Sequence, residues 1–128
     1  MFHALPPSLE DEVRGQLKAQ CAGPRPAATL AGLMNLGGGV AYRVASPELD
    51  AIREAIADHF HGSLTTQDAG RWRAHVTIQN KVSSGDAKAL LADLEPDFRP
   101  RPLAIHGLEL HRFLDGPWGL LGRWAFRY

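Results

Sequence analysis

Cysteine is nearly absent from this sequence: Cys21 stands alone, so no intrachain disulfide can form, which suits a reducing compartment. Surplus charge is absent too, with 14 Lys and Arg against 14 Asp and Glu. That balance argues against the broad positive footprint that duplex DNA requires. No apolar run approaches membrane-spanning length, and no basic region followed by an apolar stretch opens the chain. A cytoplasmic location without membrane contact is the expectation. What is present is an ordinary globular composition: 128 residues, 45% hydrophobic and 22% charged, enough for one domain over residues 1–128. Split after Phe60, the first part holds 5 basic and 7 acidic residues and the second 9 and 7, a slight positive excess late in the chain.

Periodicity divides the chain into short elements. "MFHAL" reads as the tail of a strand. "PPSLEDEV" starts a helix, with Ser8 and Asp11 as a cap-like pair and Glu10 and Glu12 at its positive end. Leu9, Val13, Leu17 and Cys21 recur at intervals of four, which gives the cysteine a place in the core. "ATLAGLMNL" and "VAYRVA" are strands joined by "GGG", read as a hairpin turn rather than a phosphate loop, since no P-loop lysine follows. "SPELDAIREAIADHF" is a helix with Leu49, Ile52, Ile56 and Phe60 on one face. A polar loop covers residues 61 to 72. "SSGDAKALLADL" is a helix packing through Leu90, Leu91 and Leu94 and stopped by Pro96. "PLAIHGLEL" and "WGLLGRWAFRY" are strands around "DGP", the last with Trp118, Leu120, Trp124, Phe126 and Tyr128 in alternation. The order α, β, β, α, β, α, β, β implies an α+β fold with antiparallel neighbours.

Between the second and third helices lies "RAHVTIQNK", residues 73 to 81. Alternation places Arg73, His75, Thr77 and Gln79 on one face, and points Val76 and Ile78 into the core. A histidine near neutrality takes or gives a proton, a hydroxyl two residues on donates to a phosphoryl oxygen, and a cation neutralises that oxygen. Sliding the chain by 77 positions sets Leu5 on Val82, Val13 on Leu90 and Leu17 on Leu94, as an internal repeat would. Under this offset the counterparts of His75 and Thr77 precede Met1.

"HVTIQNKV", then "GLELHRFLDGPW", with "FHALPP" at the start, resembles the 2H phosphoesterase superfamily. The nearest branch is that of bacterial 2′-5′ RNA ligases and RNA 2′,3′-cyclic phosphodiesterases. The resemblance spans nearly all of the chain. It implies two pseudo-symmetric lobes of antiparallel sheet around a cleft, each lobe giving one His-x-Thr or His-x-Ser. The first such motif is absent here, and Ala74 stands where a proline is common. The N-terminal lobe is therefore expected to be incomplete, either because Met1 begins within a longer reading frame or because the chain is a short variant.

The resemblance implies acid or base work for His75 and a phosphate-binding hydroxyl for Thr77. Arg73, Gln79, Lys81 and Trp118 are the expected substrate contacts, Trp118 by stacking on a base or else by continuing the strand's core face. Arg123 is a further phosphate contact or a solvated edge charge. Substrates would be 2′,3′-cyclic phosphate RNA ends or a small cyclic nucleotide, with neither metal nor cofactor. "HGSL" also fits His-x-Ser at His61 and Ser63, but it follows a helix end. His59 and His61 with His75 lack the spacing of a zinc site. His3 reads as a cleft-rim or structural residue, and His106 and His111 as surface residues. Two rival readings stand beside the enzyme. One is a module that binds phosphate esters without cleaving them. The other is a fragment that associates with its own copies through an exposed sheet edge.

Overall fold

Helix α1 (Glu10–Cys21) forms where apolar residues recur every fourth position, and it buries Val13, Leu17 and Cys21 along that stripe. Its entry differs from the expected cap. Pro7–Leu9 make a 3-10 turn, Leu9 is the N-cap, and no side chain caps the helix. Acidic Glu10, Asp11 and Glu12 in the first turn supply the favourable electrostatics instead. Strands β1 (Thr29–Asn35) and β2 (Val40–Ala45) form the predicted antiparallel hairpin across the glycines. Helix α2 (Pro47–His59) follows, with the Ser46 Oγ accepting the Leu49 N–H at 3.1 Å. The polar loop contains a turn of helix α3 (Thr66–Ala69), capped by Thr65. Then come β3 (His75–Gln79), α4 (Ser84–Leu94), the short β4 (Arg101–Pro102), β5 (Gly107–Phe113) and β6 (Trp118–Ala125).

This computed structural model describes residues 1–113 and 118–127, with Phe113 and Trp118 described for the backbone alone. The "DGP" turn and Tyr128 lie outside the described residues. The fold is mixed α+β with two antiparallel sheets, one ordered β3-β2-β1-β4 and one pairing β5 with β6. Among the described residues no helix is long and apolar enough to cross a membrane.

Two compact units emerge. The first comprises Met1–Pro26, Ala51–Arg71 and Ile105–Tyr128. Its core is Val13, Leu17, Ile56 and Phe60, with Phe2, Leu5, Leu108, Leu110 and Trp124 packed against it. Residues 1–6 form no strand. Their hold is a side chain: the buried Asp68 carboxylate accepts the His3 and Ala4 N–H groups at 2.7 and 2.9 Å. Arg53 donates to the Asp68 carbonyl and lies 4.3 Å over the Phe2 ring. In β6 the expected alternation breaks. Leu110 opposes Gly122 while His111 opposes Leu120, so Leu121 is an extra residue. Leu120 is thereby turned away from the Trp124 face and left 50% exposed.

The second unit comprises Ala27–Asp50 and Trp72–Ala104. Leu30, Val40, Ala41, Leu49, Ala74 and Ala87 are its buried apolar residues. Helix α4, capped by the Ser83 side chain, packs chiefly on β1 and β2. Beyond it Phe98 lies against Tyr42 with ring centroids 6.1 Å apart.

Candidate active-site face

Strand β3 sits at the edge of its sheet and, among the described residues, pairs only with β2. Directly opposed residues share a face, so the pairs His75↔Arg43 and Thr77↔Ala41 define one side of the sheet. Gly32 and Met34 of β1 continue that side through Arg43 and Ala41. Val76 pairs with Tyr42 on the other side, the side on which Phe98 packs. The expectation that Val76 and Ile78 enter the core is corrected: they are 43% and 38% exposed. The helix that would bury them packs instead on the two inner strands.

Gln79 is also corrected. Val40 pairs with Gln79 and Ala41 with Thr77, which leaves Ile78 as an extra residue. That bulge reverses the alternation. Gln79 turns to the face of Val40, away from His75 and Thr77, and its Oε1 is buried without a hydrogen-bond partner.

His75 and Thr77 are exposed on their shared face. The His75 Nδ1 lies 2.9 Å from the Arg73 carbonyl oxygen. A carbonyl only accepts, so Nδ1 carries the proton of the neutral ring and Nε2 is left free to exchange one. The main chain thus orients the imidazole as a second group orients a general base. Arg73 itself is exposed and lies just before β3. Lys81 is exposed and takes φ +57°, the sole positive φ among the described non-glycine residues. Its N–H donates to the Asn80 side chain at 2.9 Å, and the next N–H, of Val82, donates to Gly38 at 2.9 Å. The side chain of Trp118 lies outside the described residues.

The other sequence candidates are accounted for elsewhere. His61 and Ser63 occupy a turn after α2, not a strand. His59 contacts Gln16 and Glu12 at 3.3 and 3.4 Å. His106 and His111 are exposed, the latter 3.1 Å from Glu109. Arg123 donates to Glu109 at 2.6 Å and holds that carboxyl below the usual carboxylate range. Among the described residues no three His, Cys, Asp or Glu side chains gather as metal ligands would. A cleft of about 1150 Å³ lies within the first unit, along the Met1–Pro7 segment and β5. None of its lining residues belongs to β2 or β3. The exposed imidazole and hydroxyl of β3 thus lie apart from that cleft's lining.

Arg43 shares the face of His75 and Thr77, a placement that sequence reading did not give. "VAYRVA" gives it only as a polar position on a strand, and its value comes from the β2–β3 register, which no local pattern encodes.

Comparison with known proteins adds one finding. The model of a family described as the 2′-5′ RNA ligase superfamily matches residues 1–117. No curated protein and no solved structure matches the chain.

Proposed function

The chain belongs to the 2′-5′ RNA ligase superfamily, and on that footing we propose that it is a 2H-type phosphoesterase acting on 2′,3′-cyclic phosphate RNA ends or a related cyclic phosphodiester. The observation that carries this reading is the His75 ring, tethered through Nδ1 with Nε2 free, beside an exposed threonine hydroxyl on the same strand face. Opening a cyclic phosphate adds water to phosphorus and breaks one ribose oxygen–phosphorus bond, leaving a monoester. One proton must leave the attacking water and one must reach the departing oxygen. His75 supplies one of these transfers and solvent water the other, and the Thr77 hydroxyl donates to a phosphoryl oxygen. Arg73 and Lys81 add positive charge near the strand's two ends.

The test is phosphorus NMR of adenosine 2′,3′-cyclic monophosphate incubated with the native chain and with His75→Ala. Removing a general acid or base lowers the rate by about 10²–10⁴. Unchanged turnover in the variant rejects the role of His75. Binding of the nucleotide without product selects the second reading, a module that holds phosphate esters and does not cleave them.

A further inference from the structure

We infer that Arg43 is the residue that grips the phosphate group beside His75, an assignment that rests on the function proposed above. Three observations converge on it. The β2–β3 register sets Arg43 directly opposite His75, so guanidinium and imidazole share one face. Opposite Arg43 on its other flank stands Gly32, and the guanidinium lies across that position: a Cβ there would meet its Nη2 at 3.3 Å and its Nε at 3.5 Å. The Nη2 donates to the Ala31 carbonyl at 3.3 Å, which fixes the fork over the strand. Ala31 is itself the extra residue of a bulge, between the pairs Leu30↔Val44 and Gly32↔Arg43.

The charge is not spent elsewhere. None of the ion pairs among the described residues includes Arg43, and the side chain is exposed. A guanidinium carries five N–H donors in a planar fork, and one bond to a carbonyl leaves the others for a ligand. Two parallel bonds to the non-bridging oxygens of a phosphate ester are the natural use of that fork. The ligand class is a nucleoside phosphate whose phosphoryl group is held on this face between His75 and Thr77 of β3 and Arg43 of β2.

Calorimetry on the full chain with adenosine 2′-monophosphate tests this, using Arg43→Met, Arg43→Lys and Gly32→Val. Arg43→Met is expected to weaken binding about tenfold to a hundredfold, the worth of a charge-assisted contact. Arg43→Lys restores part of the loss, because a point charge cannot reproduce the fork. Gly32→Val keeps the arginine but occupies its resting place, so it weakens binding while the thermal midpoint holds or rises, valine being a better strand residue. Equal affinity in the native chain and Arg43→Met overturns the assignment even if His75→Ala abolishes turnover. Weakened binding in Arg43→Met with unchanged turnover in His75→Ala leaves Arg43 standing and removes the acid–base reading. A native chain that binds no phosphate ester overturns both.

Discussion

At position 39 a side chain has nowhere to go. A Cβ on Gly39 would fall onto the Gln79 carbonyl and lie 3.1 Å from the Asn80 Cα, and both obstacles are main chain. Gly37 serves differently, with φ +89° and open space around it. The run "GGG" was legible as a hairpin turn from composition alone. That one of its glycines sets the approach of the turn to the end of β3 was not, because the contact joins segments forty residues apart. Gly39→Val is expected to destabilise the chain by about 1–3 kcal/mol, the cost of overpacking, as read by urea unfolding. Gly37→Ala should cost less, through its backbone angle alone. Equal losses at the two positions would show that conformation, not contact with β3, is what glycine provides here.

At the scale of elements, order and type were largely readable, since each helix and long strand carries its own apolar period. The faces of the strands were less so. Extra residues at Ala31, Ile78 and Leu121 break the alternation in β1, β3 and β6. Each depends on the partner strand's register, so sequence alternation placed Gln79 and Leu120 on the wrong sides. Helix starts show the same limit. Ser8 and Ser83 both precede helical runs, yet only the Ser83 Oγ accepts an N–H, from Asp86 at 3.1 Å. Ser83→Ala is expected to cost about 1 kcal/mol and to speed amide exchange in the first turn of α4. Ser8→Ala should change stability by less than about 0.5 kcal/mol, as exposed positions without such a bond do. Hydrogen exchange at the two helix starts checks the contrast, and protection lost equally at both would contradict it.

At the scale of the molecule, the internal match at 77 positions acquires a structural meaning. Its two copies fall in different units, Leu5–Leu17 in the first and Val82–Leu94 in the second, and each pairs a helix with a sheet. The match does not extend to the strand tail expected at residues 1–5, a segment that the Asp68 carboxylate holds in place of a sheet neighbour. The chain has zero formal net charge at neutrality, and as acid protonates its carboxyls the loss of particular ion pairs should contribute to acid sensitivity. Hydrogen bonding from Arg14, with Arg112 contributing, holds the Glu10 carboxyl below the usual range, and Arg123, with His111, does the same for Glu109. A carboxyl whose folded pKa is depressed binds fewer protons folded than unfolded. Its stabilising contribution is complete above the unfolded value of about 4.3 and is lost as pH falls through the lower folded value. Both pairs lie in the first unit, so that unit should loosen first on acidification. The double variant Glu10→Gln, Glu109→Gln is expected to be less stable than the native chain near neutrality and to lose less stability between about pH 6 and pH 3. Unfolding midpoints across that range, with probes in each unit, supply the measurement. Parallel pH curves for the two proteins would mean that other carboxyls govern the acid limb.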